Sequence, residues 1–424
     1  MTDSLSIAVI GAGISGLLTA RELLRENHRV TIFEKSGQIG GTWVYDHGVE
    51  VDDPKRSVVH SSLYSSLRTN LPRPLMSFFD YSFEDKSYGD PRMFPGHEEV
   101  LKFLQDFANE FGVTELIRFN SEVVRVESRG GGFVVEWQTA EEEVFDAVVV
   151  CNGHHTEPRF ADDIPGFEEW SQKQVHSHNY RVPEPYKDQV LILIGDGPSA
   201  FDISREIATT AKEVHLSSRS SNIKVSKLYG YENIWQHMKI KRLFNEGTVL
   251  FEDGDSIVAD VILHCTGYQF HFPFLRTNDM VHVDNNRVGP LYKHVFSPEH
   301  APRLAFVGLI YSILFRMLEL QAKWVALTLS GKILLPSKEE MLADVYKHYR
   351  EMDENGIAKR YTHSLNNQVF VLDYSCYNFE YVDWLAAQVG LRVEDRLKKI
   401  VKSHFENRMA HHNDYRDTFL LYYP

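Results

Sequence analysis

Short apolar runs that end on glycine alternate along the chain with segments of helical period. Ile7-Ala8-Val9-Ile10 stops at Gly11 and reads as a buried parallel strand, because both of its faces are apolar. Ile14 to Arg25 then turns helical, with Leu17, Leu18, Leu23 and Leu24 on or near one face and Asn27 as a stop signal. Val30 to Phe33 returns as a second strand. The same order recurs downstream: strand Val190 to Ile194, a glycine motif, a helix around Ser199 to Ala208, and strand Glu213 to Leu216. The pattern predicts an α/β protein with two dinucleotide-binding (Rossmann-like) domains.

Between the two units, Phe119 to Glu127, Phe133 to Trp137 and Val144 to Cys151 are predicted strands, separated by a run of glycines and an acidic stretch. Pro158, Pro165, Pro183 and Pro185 mark an extended connection. Thr248 to Phe251 and Ser256 to Asp260 flank an acidic glycine turn and are predicted to pair as a hairpin running into Val261 to Leu263, after which the chain re-enters the first domain. The division expected is 1–160, first part of one domain; 161–260, a smaller domain inserted into it; and 261–424, the second part with C-terminal helices. Ser337 and Glu340 have the spacing of a capping box, for a helix ending near Gly356.

Composition narrows the function. The 424 residues are too many for one core. A formal net charge of −14 repels phosphate backbones, so nucleic acid is not an expected partner. Cys151, Cys265 and Cys376 fit neither a disulfide framework nor a Cys-x-x-Cys site, which suits a reducing, cytoplasmic setting. The longest apolar run, Leu304 to Phe315, is too short to cross a bilayer, and Asp3 in a leader without basic residues does not suit a signal peptide. No histidine spacing suggests a metal. Self-association stays open.

The first chemical motif is Gly11-Ala12-Gly13-Ile14-Ser15-Gly16, set between strand and helix, with Glu34 ending the next strand. Its glycines permit a tight turn, close approach of a pyrophosphate and helix–strand packing; the helix N-terminus stabilises the anion, and Glu34 can accept from a ribose. The second is Gly195-Asp196-Gly197-Pro198-Ser199-Ala200, followed at its strand end by Ser217-Ser218-Arg219 where an acidic residue would select NAD. Arg219 and the two hydroxyls can bind a 2′-phosphate, so NADP is expected; the alternative is a solvated surface arginine. With Gly37 to Trp43 after Glu34 and no redox cysteine pair between Gly16 and Cys151, the pair of motifs points to a flavoprotein reduced by a nicotinamide that is not a disulfide reductase.

Over nearly its whole length the sequence resembles the flavin-containing monooxygenases, above all the soluble plant-type members. The matching stretches are the two glycine motifs, Gly40-Gly41-Thr42-Trp43, Leu67-Arg68-Thr69-Asn70, His176 to Tyr180, Cys265-Thr266-Gly267-Tyr268 and Glu319-Leu320-Gln321. The resemblance implies an FAD site at Gly11, Ala12, Gly13, Ile14, Ser15, Gly16, Glu34, Lys35, Gly40, Gly41, Thr42, Trp43, Asn70, Val123 and Gln321. It implies an NADP site at Gly195 to Ala200, Ser217 to Arg219, His176 and Tyr180. In the family fingerprint F-x-G-x-x-x-H-x-x-x-Y, Trp170 and Gln172 replace the Phe and Gly, and His176 and Tyr180 can equally serve to pin the connection between domains. Plant relatives usually carry Gly-Leu-Pro where this chain has Gly308-Leu309-Ile310; with Tyr311, Phe315 and Met317 this stretch reads alternatively as a core helix.

By the same resemblance, NADPH reduces FAD, the reduced flavin captures dioxygen as a C4a-hydroperoxide, and Asn70 is the catalytic amide that can donate to the peroxide; read alone, Thr69 to Pro72 is a turn. The expected reaction is oxygenation of a soft nucleophile in a small molecule, with a thioether sulfur first. N-oxygenation of an amine, indole oxygenation, an NADPH oxidase releasing hydrogen peroxide, and a non-catalytic nucleotide sensor are the alternatives.

Overall fold

In the computed structural model, which describes residues 4–48, 60–219, 225–277, 281–311, 314–364 and 379–419, Ser6–Ile10 is the middle of a five-stranded parallel sheet. Its neighbours are Arg29–Phe33 on one side and Ala147–Val150 on the other, with Ile117–Arg118 and Leu304–Phe306 at the edges. Interior strands covered on both faces must be apolar throughout, and Ile7, Ala8, Val9 and Ala147 to Val149 are all fully buried. The helix Ile14–Arg25 follows the first strand, and Asn27 ends it in the left-handed region with φ 63°. A buried cluster formed by Ile10, Phe33, Val123, Trp137, Phe145 and Phe306 joins this sheet to a four-stranded one.

Two compact units are present. The first comprises Met1–Val44, Arg68–His154 and Phe270–Pro424; the second comprises Tyr45–Leu67 and His155–Gln269. The second unit therefore takes in a short segment, 45–67, that precedes the main inserted region in sequence. Its six-stranded sheet runs in the order Ser226–Lys227, Ile234–His237, Glu213–Ser217, Val190–Ile194, Val261–His264, Lys173–His176, parallel except for the first pair. The helix Pro198–Ile207 crosses between the strands that begin at Val190 and Glu213. Trp170 is buried against Ile192, Leu243 and Phe251 in this unit's second core cluster, a large ring filling a core position.

Three predicted elements differ. The first strand of the predicted meander begins at Val123, not at Phe119: Asn120 takes φ 52°, and the Asn120 and Ser121 amides donate back to Ser36 and Glu34, so this stretch is a turn. Val144 to Cys151 is two strands, Glu142–Phe145 and Ala147–Val150, in different sheets. Asp146 makes the switch, its amide donating to the Ser6 carbonyl and its carboxylate accepting from the Ser6 amide, both at 2.8 Å. The core helix read from Gly308 onward starts at Phe315 and runs to Leu329. The Thr248–Phe251 and Ser256–Val258 strands pair antiparallel, and the Ser337 capping box is formed at the head of Lys338–Glu354. Among the described residues no helix is long and apolar enough to cross a membrane. Cys376 and Asp3 lie outside the described residues.

Candidate active site

In the first unit, the loop after Ser6–Ile10 is built from close backbone approaches. Gly11 has φ 104°, and a Cβ on it would sit 2.7 Å from the Cys151 carbonyl oxygen. The Gly11 amide donates to the Phe33 carbonyl at 2.8 Å, tying loop to sheet. Gly13 caps the Ile14–Arg25 helix with no side-chain hydrogen bond and no acidic residue in the first turn, so the helix N-terminus keeps its positive end for an anion. A Cβ on Gly13 would meet the Gly41 Cα at 3.5 Å: two bare backbones face each other there. This is a cradle that fits a pyrophosphate, and one that side chains would fill.

Glu34 is buried at 6% exposure, and both of its oxygens accept from backbone amides, Ala12 and Ser36, each at 2.8 Å. The carboxylate thus fixes the glycine loop, and its remaining lone pairs suit a ribose diol. Lys35 is exposed beside it. Thr42 and Trp43 lie in the short turn Gly41–Trp43, and Trp43 packs edge-on against Phe315 at 6.5 Å. Phe315 also stacks on Phe78 at 6.3 Å, next to the Arg73–Met76 turn that follows Asn70. Val123 opens its strand with its side chain in the core among Phe33 and Trp137.

Asn70 is half-buried, and no protein group among the described residues hydrogen-bonds its side-chain amide. The backbone around it is fixed: the Thr69 amide donates to Pro95, the Thr69 hydroxyl to Leu71, and the buried Arg73 reaches the Arg92 carbonyl and Glu99. The segment offers a polar amide on a rigid support. Gln321 is fully buried and bound at both ends, accepting from the Gly308 amide and donating to the Tyr381 hydroxyl, each at 3.1 Å. On the other side of Gly308, its carbonyl accepts from His154 Nδ1 at 3.0 Å, and burial pushes the His154 pKa down to about 4, keeping that ring neutral. Gln321 and His154 therefore hold Gly308 at its amide and at its carbonyl, in the two successive peptides that flank its Cα. Neither His154 nor Tyr381 stands in a motif, and no spacing in the sequence singles them out.

In the second unit the geometry repeats. Gly195 has φ 128°, a Cβ there would lie 2.5 Å from the Cys265 carbonyl oxygen, and its amide donates to Ser217. Gly197 caps the helix that starts with Pro198, Ser199 and Ala200, without a side-chain cap, and a Cβ on it would meet nothing within 4 Å. Open space lies before this helix N-terminus. Two hydroxyls read as 2′-phosphate donors are directed elsewhere: Ser217 Oγ donates to the Met238 carbonyl at 3.1 Å and Ser218 Oγ to the Asp196 carboxylate at 2.7 Å. Arg219 is exposed at the strand end. His176 and Tyr180 are buried, not displayed. His176 Nδ1 accepts from the His178 amide, and burial lowers its pKa to about 3; Tyr180 packs between Tyr64 and Tyr186.

The flavin-binding monooxygenase-like family model matches residues 4–244 and 228–394. The chain belongs to the flavin-binding monooxygenase-like family. The family and its related monooxygenase structures are flavin- and NADP-dependent, and the chain is an enzyme of that family. Flavin-containing monooxygenase FMO GS-OX-like 4 of Arabidopsis thaliana is 50% identical, over 97% of this chain and 93% of that protein. S-allyl-L-cysteine S-oxygenase from Allium sativum is 50% identical in a solved structure with TM-score 0.93, covering 99% of this chain and 96% of that one. Tmm from Pelagibacter is 25% identical with TM-score 0.82, over 97% and 93%. These monooxygenase structures share the fold of two dinucleotide-binding domains.

Proposed function

We propose that this flavin-binding monooxygenase uses NADPH, FAD and dioxygen to add one oxygen atom to a thioether sulfur of a small molecule. The observation that carries the reading is the 50% identity to S-allyl-L-cysteine S-oxygenase across nearly the whole of both chains. The chemistry supplied by the bound cofactors is hydride delivery from NADPH and activation of dioxygen at the flavin.

The chain's own residues bind, orient and shield. Gly11 to Gly16, with Gly40 to Trp43 alongside, cradle the FAD pyrophosphate; Glu34 takes the ribose and locks the loop that holds it. Gly195 to Ala200 do the same for NADPH, and Arg219 attracts the 2′-phosphate. Because Ser217 and Ser218 spend their protons on protein acceptors, the charge of Arg219 does most of the discrimination. Gln321 and His154 fix Gly308 against Ser15 of the first motif. Asn70 donates its amide hydrogens where oxygen is activated, a preorganised donor with no competing protein acceptor. On this reading the unit made of 1–44, 68–154 and 270–424 is the FAD-binding domain, and the unit made of 45–67 and 155–269 is the NADP-binding domain. The cysteine usage supports a reducing, cytoplasmic setting.

Incubation with NADPH and a panel of thioethers, amines and indoles, followed by mass spectrometry, tests the assignment. Sulfoxides should dominate. Products only from amines or indoles would move the substrate class, and NADPH consumption matched by hydrogen peroxide alone would make the protein an oxidase.

A further inference from the structure

The segment that carries Asn70 is held by the far C-terminal end of the described chain. Arg416, in the short helix Tyr415–Thr418, donates from Nε to the Thr69 carbonyl at 2.9 Å and reaches the Arg68 carbonyl from Nη2 at 3.5 Å. The contact is answered in the other direction, since Arg68 Nη1 pairs with the Asp417 carboxylate at 2.9 Å while its Nε donates to the Phe94 carbonyl at 3.1 Å. The short helix is itself anchored. Tyr415 is 2% exposed, with its ring edge-on to Phe94 at 5.6 Å, Phe419 meets the same ring, and Asn407 donates to the Tyr415 carbonyl.

The Thr69 carbonyl belongs to the peptide plane that also contains the Asn70 nitrogen. Holding that oxygen fixes the rotation of the plane, and so the direction in which the Asn70 side chain starts out. The donor is a guanidinium, whose hydrogen bonds are stronger than neutral ones. The Arg68–Asp417 pair is weaker support, because Asp417 is 67% exposed and surface ion pairs are worth little. No other guanidinium in the described residues is bonded to that carbonyl.

We infer that Arg416 is a positioning residue for Asn70, so that the C-terminal helix, although remote in sequence, sets how efficiently oxygen is delivered to substrate; this rests on the role proposed for Asn70. Arg416 touches neither cofactor nor substrate in this account. Its effect should appear in coupling and in the local order of residues 68–72, and not in the affinity for NADPH.

The test uses full-length holoenzyme and compares wild type with Arg416→Ala, Arg416→Lys, Arg416→Gln, Asn70→Asp and the Arg416→Ala/Asn70→Asp double variant. Sulfoxide formed per NADPH and hydrogen peroxide released are measured together with hydrogen exchange of the peptide spanning residues 68–72, the latter with and without FAD. Arg416→Ala should speed exchange in that peptide in both states. It should lower sulfoxide per NADPH by about tenfold, the scale expected for displacing a positioned group by a fraction of an ångström, with the NADPH Michaelis constant unchanged. Arg416→Lys, which keeps one charged donor, should recover part of the loss, and the double variant should be no worse than Asn70→Asp alone. If Arg416→Ala does not fold, Arg416→Gln carries the same expectations in reduced size. Coupling equal to wild type in the folded variant, or a loss that adds to that of Asn70→Asp, would overturn the inference. If Asn70→Asp is itself fully coupled, the role of Asn70 falls and the inference with it, and a faster exchange in Arg416→Ala identifies that as the failed step.

Discussion

Ser218 donates its hydroxyl proton to Asp196 at 2.7 Å, joining the second glycine loop to the end of the strand that precedes Arg219. The bond sets the loop's shape and places a carboxylate close to where a nucleotide ribose is expected. A 2′-phosphate in that neighbourhood depends on Arg219 to offset the Asp196 charge. Arg219→Ala should therefore raise the Michaelis constant for NADPH about tenfold, the equivalent of about 1.4 kcal/mol, and leave that for NADH unchanged. Steady-state kinetics with both cofactors checks it; equal constants for NADPH before and after would remove Arg219 from the site.

Gly16 approaches the Gly11 peptide so closely that a Cβ would collide with the Gly11 carbonyl, its carbon 3.0 Å away. Helix and loop would have to part. Gly16→Ala should lose flavin on purification, read from visible absorbance, whereas Gly197→Ala, whose Cβ would enter open space, should keep the flavin and lose NADPH affinity. A yellow Gly16→Ala protein with full flavin content would contradict the packing argument.

Asn70→Asp replaces two donor hydrogens with a charged acceptor while keeping the side chain's shape. Flavin content should be intact, product formation reduced and hydrogen peroxide release increased. A variant with wild-type product per NADPH would show that the amide has no part in the reaction.

His404 is fully buried, with neither ring nitrogen hydrogen-bonded, in a cage of Phe94, Tyr415 and Phe419. Burial, followed by the nearby Arg408 and Arg416 charges, lowers its pKa to about 3; burial lowers His176 and His363 to about 3 as well. An unfolded histidine titrates at about 6.5, so below that pH the unfolded chain takes up protons that the folded one refuses. Stability contributed by these neutral rings is present above about 6.5 and is lost as pH falls toward about 3. His404→Leu should flatten the pH dependence of unfolding between those values by one proton, about 1.4 kcal/mol per pH unit. Denaturant titrations at several pH values measure the slope; an unchanged slope would contradict the buried neutral state.

What could be read from the sequence was whatever local chemistry dictates. A strand of Ile7 to Ile10 ending in glycine, an Asn27 stop, and the Ser337–Glu340 capping box all depend on neighbours a few residues apart, and each forms as its residue types require. The parallel order of the two sheets follows from the same repeated strand–helix–strand pattern. The rest depends on long-range partners. Asp146 breaks an apolar run because of Ser6, which is 140 positions away. Nothing in the sequence reveals that the Ser217 and Ser218 hydroxyls donate to the Met238 carbonyl and the Asp196 carboxylate. The grip of Arg416 on Thr69 spans 347 positions and leaves no local trace in the sequence.

On the proposed function, an oxygen atom from air ends on a thioether sulfur at the expense of NADPH. A thioether such as S-allyl-L-cysteine, incubated with the purified holoenzyme and NADPH under isotopically heavy dioxygen, tests it in a single mass spectrum. A sulfoxide bearing one heavy oxygen should form in step with NADPH oxidation. Unlabelled sulfoxide, or heavy hydrogen peroxide with the thioether untouched, would contradict it.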